Sequence, residues 1–200
     1  MFVLTMDQRG SRTSSDRVPA LLAELAGIPS VLPFERSVGD EIQGLLDSAE
    51  AVVEVAMRAL RAGHWYVGIG MGDIGRPLPR STREAAGGAF VAARESVERA
   101  KKAGERVPLS VRSSASAAAA EAAAAEAVLV LIGDLVRKRS ASEWRVVDAL
   151  AGPSVRQVDA ARALGISPQA VSKAILRSGW QEENNGRAAA ALLLQMAGAR

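Results

Sequence analysis

Three polar side chains in the last quarter of the sequence have the spacing of one helix face. Gln169, Ser172 and Lys173 follow Pro168, and proline is favoured at the first position of a helix. Residues three or four positions apart lie side by side on a helix. Amide, hydroxyl and ammonium groups are side-chain types that reach base edges and phosphates in the major groove of DNA. We therefore interpret this segment as a helix that can read double-stranded DNA.

The helix that carries these side chains is the second of a predicted pair within Gln157–Ala174. Ala161 is small where the second helix must cross the first, Gly165 permits the turn, and Ser167 is predicted to cap the second helix. This is the spacing of a helix-turn-helix. A helical hairpin that packs against its neighbours, or that binds another protein, would have the same apolar pattern, so this alternative stays open.

Basic residues are concentrated around this predicted pair of helices. Between residues 137 and 177 there are eight Lys or Arg and three Asp or Glu, a surplus of five positive charges, whereas the whole chain has a surplus of three. The asymmetry favours a polyanionic partner, and Arg137–Arg139 are further candidates for phosphate contacts. One such unit binds weakly, so we expect a homodimer that reads half-sites about one helical turn apart, without any cofactor. The predicted DNA contacts are Ser167, Gln169, Ser172, Lys173, Arg177, Arg156 and Arg162.

Two aspartates near the start of the chain could hold a metal ion. Asp7 follows the predicted strand Phe2–Met6, and Asp40 lies in the turn between predicted strands at 31–36 and 41–46. If the first strand lies beside this hairpin, the two carboxylates approach each other. They would then repel unless a cation such as Mg²⁺ lay between them. The alternative is that Asp7 caps its own loop and Asp40 only forms the turn.

Two other patterns do not define a site. Gly70–Gly75 matches G-x-G-x-x-G and follows a predicted strand, but Arg76–Pro79 cannot open the helix that a dinucleotide-binding motif needs. We therefore reject a dinucleotide site. His64 has no serine or acid at a catalytic spacing, and we interpret it as a strand-edge residue.

The apolar pattern predicts an α+β fold in three parts. Residues 1–112 have the order β-α-β-β-α-β-α-β, which favours a sandwich of one sheet with helices, with the strands in a ferredoxin-like order. Residues 113–138 are rich in Ala and predict a long connecting helix. Residues 139–200 predict an all-α domain, with a polar turn at 184–186 before the final helix.

Composition narrows the class of protein further. The chain has no cysteine and one histidine, so disulfides and a zinc cluster built on thiolates are excluded. The N-terminal residues lack the basic start and long apolar run of a signal peptide. No apolar stretch approaches the roughly 20 residues that cross a bilayer. We expect a cytoplasmic protein without a membrane partner.

The segments LTMDQRGS, FERSVGDEIQGLL, GIGMGD and FVAARESVERA occur in this order. In this respect the chain resembles the catalytic domain of class III nucleotidyl cyclases. The resemblance implies a nucleotide site in which Asp7 and Asp40 hold metal ions and Arg94 steadies the transition state. It also implies that Arg36, in place of the family's base-selecting lysine, contacts the nucleotide. Phe90 stands where the family has asparagine, so the implied site is incomplete and a protein without enzyme activity is favoured.

Nearly the full length of the chain resembles SatD-family proteins. The matching segments are MDQRGSR, VLPFERSVGDEIQGLL, GIGMG, STRE, AARESVERAK and the C-terminal SGW. This resemblance implies a cyclase-like α+β domain joined by a long helix to a helix-turn-helix domain. The expected function is a DNA-binding transcriptional regulator whose first domain dimerises, senses a nucleotide, or both. The alternative is a metal-dependent nucleotide-binding or cyclase-like enzyme that uses Mg²⁺.

Overall fold

A computed structural model describes residues 1–152 and 155–199 of the chain. These residues form a mixed α+β fold, which confirms the predicted class. The predicted order of the first eight elements is also confirmed. In chain order the elements are β1 (Phe2–Gln8), α1 (Val18–Leu25), β2 (Leu32–Arg36), β3 (Glu41–Leu46), α2 (Ala49–Ala62), β4 (Trp65–Met71), α3 (Gly88–Lys101), β5 (Leu109–Ser113), α4 (Ala119–Lys138), α5 (Ala141–Ala149), α6 (Gln157–Leu164), α7 (Pro168–Ser178) and α8 (Trp180–Gly198).

The five strands form one sheet in the order β2-β3-β1-β4-β5. The central strand, β1, is antiparallel to β3 on one side and to β4 on the other. Thr5, in the middle of β1, is opposite Gln43 of β3 and Gly68 of β4. Strand β5 runs parallel to β4. The N-terminal residues thus become the middle of the sheet, and β1 lies beside the β2–β3 hairpin.

The two faces of the sheet are covered differently because side chains alternate along each strand. Phe2, Leu4 and Met6 point into the main core, which also contains buried residues of α1, α2, α4 and α8. Val3, on the opposite face, packs with Ala89 and Ala93 of α3 in a smaller core. Four helices therefore cover one face, and α3 is the helix that packs on the other.

Helix α3 lies unusually close to the sheet because β4 contains two glycines. A Cβ atom at Gly68 would lie 2.4 Å from the backbone nitrogen of Val97, and one at Gly70 would lie 2.2 Å from the carbonyl oxygen of Ala89. The helix packs on β4, β5 and β1. The glycine-rich segment after residue 67 therefore serves helix packing. Over β3 the same face borders a cleft instead.

The Ala-rich helix is part of the main core. A short 3-10 turn at Ser116–Ala118 precedes α4, which packs against α8, β5 and α2. Its buried side chains are small at the start, as at Ala122, and larger towards the end, as at Leu129 and Ile132. Most of its apolar end is thus buried, although Leu131 is 69% exposed. The connecting segment does not separate two distant halves.

The predicted turn at 184–186 is wrong, because α8 is continuous from Trp180 to Gly198. Asn-Asn-Gly usually marks a turn. Here the glycine allows α8 to pack against α4, since a Cβ at Gly186 would lie 2.3 Å from a side-chain carbon of Ile132. Further along, Leu194 and Ala197 enter the same core as Phe2 of β1. The final helix therefore packs on the α+β part of the chain.

A separate small core joins α5, α6 and α7. Helix α5 begins after a capping box formed by Ser140 and Glu143. The Ser140 side chain accepts a hydrogen bond from the backbone of Glu143, and the Glu143 carboxylate accepts one from the backbone of Ser140. Buried apolar side chains at three- and four-residue spacing then meet between the helices. They are Val146, Leu150, Ala160, Ala161, Val171 and Ala174. In residues 1–152 and 155–199, no helix combines the length and apolar character required to cross a membrane.

Candidate functional site

The turn between α6 and α7 has the local geometry that the sequence predicts. Gly165 ends α6 in the left-handed conformation, with φ 65° and ψ 33°, which glycine adopts without steric cost. The Ser167 side chain accepts a hydrogen bond of 3.1 Å from the backbone nitrogen of Ala170, and Pro168 occupies the first turn of α7. Ala161 is buried beside Val171 in the small core. The two helices are thus fixed at a short, capped turn.

The outward face of α7 is polar and open to solvent. Gln169, Ser172 and Lys173 are all exposed, while Val171 and Ala174 on the opposite side are buried. Leu176, one turn beyond Ser172, is also exposed. The structure therefore brings the three predicted base-reading side chains together on one surface.

The predicted phosphate contacts flank this surface and form weak surface ion pairs. Arg156 lies 2.9 Å from Asp159, and Arg162 lies 3.5 Å from the same carboxylate. The hydrogen bond from Arg156 lowers the pKa of Asp159. Arg177 lies 3.5 Å from Glu143. The three arginine side chains are mostly exposed, while Asp159 and Glu143 are partly buried, so the guanidinium groups stay accessible to a phosphate.

Lys173 differs from these arginines. Among the residues that the structure describes, no carboxylate lies within ion-pair distance of its ammonium group. An unpaired cation in the middle of a polar helix face is available to an anionic partner without breaking an existing contact. Lys173 is therefore the residue of α7 whose charge is most directly exposed.

The prediction that Arg139 contacts phosphate is wrong. Its side chain is 1% exposed and lies 2.5 Å from the carboxylate of Glu183, which is 4% exposed. Its Nε donates a hydrogen bond of 2.8 Å to the carbonyl oxygen of Ser178, and its guanidinium lies over the ring of Trp144. This arginine therefore ties α5, the end of α7 and the start of α8 together inside the protein. Of its neighbours in the basic run, Arg137 donates a hydrogen bond to a backbone carbonyl oxygen, and Lys138 forms an ion pair with Asp134.

Further charged contacts fix the three-helix unit to the rest of the chain. Arg61 of α2 donates two hydrogen bonds of 2.7 Å to the carboxylate of Asp148 on α5. The same guanidinium lies 3.8 Å from the centre of the Trp144 ring. On α8, Arg187 lies 2.6 Å from Glu54 of α2 and 2.7 Å from Glu183. The position of α7 relative to the sheet is thus set by side chains from four helices.

The predicted metal ligands lie near each other, but one already has a cation. Asp7 is opposite Glu41 in the register of β1 and β3, and Asp40 directly precedes Glu41 in the hairpin turn. The ammonium group of Lys101 lies 2.8 Å from Asp7. Partial burial lowers the pKa of Lys101, but hydrogen bonds to Asp7 and Glu98 outweigh it and raise this pKa to about 12. Over the described ranges, no three His, Cys, Asp or Glu form a group that could hold a metal ion.

The predicted nucleotide contacts, Arg36 and Arg94, have different surroundings. The Arg36 guanidinium donates hydrogen bonds of 2.5 Å to the carbonyl oxygen of Gly39 and to the carboxylate of Asp16. The bond to Asp16 lowers the pKa of that carboxyl. Arg36 thereby holds the hairpin turn against the loop before α1. Arg94 is exposed on α3 and lies 3.2 Å from Glu41. Of these two arginines, Arg94 lines the cleft beside α3.

This cleft has a volume of about 470 Å³ and lies between α3, the β2–β3 hairpin and the loop that precedes α3. The loop is fixed to the edge strand by Glu35, which accepts hydrogen bonds from the side chains of Ser81 and Thr82 and from the backbone of Arg83. Burial raises the pKa of Glu35, but these hydrogen bonds outweigh it and the net shift is downward. The lining residues include Ser37, Val38, Gln43, Thr82, Arg83, Ala85, Ala86, Phe90, Val91, Arg94 and Glu95.

Sequence reasoning did not identify the cleft or Arg83. The cleft is made by three segments that are far apart in the chain, and no local pattern indicates that they meet. The resemblance to cyclases marks Phe90 only as a departure from the pattern, whereas in the structure Phe90 lines the cleft. The one usable signal was the STRE segment, whose first two residues fix the loop.

Comparison of the chain with protein-family models, with curated proteins and with solved structures found no match. The resemblances to class III nucleotidyl cyclases and to SatD-family proteins therefore stay predictions. Two features of the structure remain as candidate sites: the exposed face of α7 and the cleft beside α3.

Proposed function

We propose that this chain is a DNA-binding transcriptional regulator in which α6 and α7 form a helix-turn-helix. The observation that supports it best is the polar face of α7, where Gln169, Ser172 and Lys173 are exposed together while the opposite face is buried. Amide and hydroxyl groups form hydrogen bonds with base edges, and the ammonium group binds a base or a phosphate. An α-helix with its side chains is about 10–12 Å across, so α7 fits the roughly 12 Å width of the major groove.

The flanking cations complete this interface. Arg156 and Arg162 lie on or next to α6, and Arg177 lies near the end of α7. The three arginine side chains are mostly exposed and can reach phosphates, although their carboxylate partners, Asp159 and Glu143, are partly buried. Ser167, at the start of α7, is placed where backbone amides of a helix N-terminus approach phosphate. The double-stranded DNA contacts thus come from both helices of the pair.

The α+β part would serve dimerisation, sensing of a ligand, or both. Its strand order β2-β3-β1-β4, with antiparallel neighbours and with α1 and α2 on one face, supports a ferredoxin-like interpretation. A homodimer would present two copies of α7 to half-sites about one helical turn apart. Sedimentation of the full chain at micromolar concentration tests this directly, and a monomer would contradict it.

The experiment for DNA binding is selection of genomic fragments by the full-length protein, followed by affinity measurement at several salt concentrations. Lys173→Glu should weaken binding by about tenfold or more, because a phosphate or base contact becomes a repulsion. Lys102→Glu, the same charge change on an exposed residue at the end of α3, is the matched control. The logarithm of affinity should fall with the logarithm of salt, with a slope of about −0.9 for each phosphate contact.

Two results would overturn this function. One is the absence of any enriched fragment, and the other is an equal effect of Lys173→Glu and Lys102→Glu. Binding of another protein through α7, insensitive to salt, would instead favour the helical-hairpin alternative.

A second candidate function is metal-dependent nucleotide binding or chemistry. The observation that favours it is that Arg94 and Arg83 both line one cleft near the hairpin that contains Asp40. Binding of Mg²⁺ at Asp7 and Asp40 would require Lys101 to leave Asp7. Titration of Mg²⁺ or Mn²⁺ with nucleoside triphosphates, on the native chain and on Asp40→Asn, tests this candidate. Absence of metal-dependent binding to the native chain would remove it.

A further inference from the structure

The cleft beside α3 is preformed by contacts that do not depend on a ligand. On one side, Glu35 holds the loop at residues 81–83 through three hydrogen bonds. In addition, Arg83 Nε donates a hydrogen bond of 2.7 Å to the carbonyl oxygen of Arg36. On the other side, α3 is held against β4 by the close approach at Gly68 and Gly70. Since both walls are fixed, a ligand would enter without ordering the chain, which favours binding.

The surface of the cleft is mainly apolar, and its two edges expose apolar side chains. Val38, in the hairpin turn, is 76% exposed, and Val91, on α3, is 60% exposed. Phe90, Ala85 and Ala86 also line the cleft. A volume of about 470 Å³ lies within the range of small-molecule sites. These residues suit the apolar body of a ligand.

The base of the cleft contains two polar side chains that already form hydrogen bonds within the protein. Gln43 is buried, and its side-chain nitrogen donates a hydrogen bond of 2.8 Å to Thr5. Thr82 is also buried and bonds to Glu35. Neither side chain carries a charge, so the electrostatic preference of the cleft is set by the ionised residues at its edge.

The charges of these ionised residues almost cancel. Arg94 lies 3.2 Å from Glu41, and Glu95 lies 3.0 Å from Arg112, so each of these pairs is close to neutral. Within the described residues, the Arg83 guanidinium has no carboxylate at ion-pair distance, and Glu35 bonds to its backbone instead. Glu35 also carries a negative charge beside the loop, but its carboxylate is already engaged by the hydrogen bonds from Ser81, Thr82 and the Arg83 backbone. Among the described residues that line the cleft, Arg83 therefore provides the positive charge that lacks a carboxylate partner. It complements a single negative charge, whereas a triphosphate carries several.

We propose that this cleft binds a small organic monoanion with an apolar body. Its anionic group, a carboxylate or a group of similar charge, is bound by Arg83 with support from Arg94. Its apolar body packs on Phe90 between Val38 and Val91. The site is separate from the proposed DNA-binding surface, because every residue that lines it lies in the α+β part of the chain.

The probe is anilinonaphthalene sulfonate (ANS), a fluorescent aromatic monoanion, titrated into the native full-length chain. Val91→Glu should weaken its binding by about tenfold or more, because a carboxylate is introduced at the apolar edge. Arg83→Gln should weaken it to a similar extent through loss of the cation. Leu192→Glu is the matched control, since Leu192 is 58% exposed and borders a different groove between α2 and α8. Circular dichroism and the melting temperature establish that each variant is folded.

Competition then tests the charge requirement. Phenylbutanoate should displace ANS, and the uncharged phenylbutanamide should do so at least about tenfold more weakly. Equal displacement by the two compounds would overturn the proposal, as would ANS binding that is lost only in Leu192→Glu. Displacement by ATP with Mg²⁺ but not by phenylbutanoate would also overturn it and would support the nucleotide candidate. None of these results bears on DNA binding, so the two proposals fail separately.

Discussion

Gly68 and Gly70 allow α3 to approach the sheet closely, so a larger residue at either position should lower the free energy of unfolding. In Gly70→Ala, the new Cβ would lie 2.2 Å from backbone atoms of Ala89 and Ala93, which cannot rotate away. We expect a loss of about 1–3 kcal/mol in the free energy of unfolding, the usual effect of overpacking. The measurement is urea denaturation followed by circular dichroism.

The matched control for this change is Gly27→Ala. No atom lies within 4 Å of the position that its Cβ would take. The variant should be as stable as the native chain or slightly more stable, because alanine reduces the freedom of the unfolded chain. Equal destabilisation by the two substitutions would contradict the explanation by close packing.

Individual residues also mark the limit of prediction from sequence. Gly165 and Ser167 could be assigned correctly because a turn and a helix cap depend on neighbours within four residues. Arg139 could not, since its burial depends on Glu183 and Ser178, which are about forty positions away. A run of three basic residues is usually exposed, and nothing local indicates that its last member is enclosed.

At the scale of elements, the same difference between local and distant causes recurs. Strand β3 has the predicted bounds, Glu41–Leu46, and α2 lies between two caps of ordinary type, Ser48 before it and Gly63 after it. Both depend on alternation, periodicity and caps that are visible in the sequence. The turn predicted within α8 was wrong because Gly186 is used for contact with α4 instead. The cleft was missed for the same reason, as it exists only where α3, a hairpin and a loop meet.

Arg139 and Glu183 provide a prediction about how α7 is positioned. Arg139→Met leaves Glu183 buried with Arg187 as its remaining cationic partner, and removes the bond to the carbonyl oxygen of Ser178. We expect a loss of about 3 kcal/mol or more in unfolding free energy. The double variant Arg139→Met with Glu183→Met should lose less than the sum of the two single changes.

A distance measurement separates a positioning role from general destabilisation. The chain lacks cysteine, so Ser172→Cys on α7 and Lys102→Cys at the end of α3 can be spin-labelled without background. The distance distribution should be narrow in the native background and broad after Arg139→Met. Leu194→Ala, which weakens the main core instead, should leave the width unchanged while it lowers stability. Equal widths in all three proteins would contradict the role of Arg139.

At the scale of the whole molecule, a pH-sensitive contact joins α2 to α8. Burial raises the pKa of Glu54, but hydrogen bonding and charge interactions with Arg58 and Arg187 outweigh it, and the net shift is downward. A carboxyl whose pKa is lower in the folded state stabilises the fold fully above its unfolded pKa of about 4.5. This contribution should be lost as the pH falls below that value towards the lowered folded pKa.

Glu54→Gln should therefore flatten the dependence of stability on pH below about 4.5. Urea denaturation at a series of pH values from neutral to acidic measures this. Glu182→Gln, a charge removal on an exposed residue of α8, is the control and should keep the native dependence. If both variants follow the native curve, the contact between Glu54 and Arg187 does not contribute.

The position of α8 in the main core constrains how the chain is made in the cell. Ribosomes add about 5–20 residues per second, and early domains generally fold while later ones are still being synthesised. Here the flank of α4 that faces α8, which includes Val128 and Ile132 near Gly186, is covered only when residues 180–198 are synthesised. Helices α5, α6 and α7 are synthesised in the interval between. A nascent chain therefore displays this flank for some seconds, and we expect it to favour chaperone binding until α8 is complete.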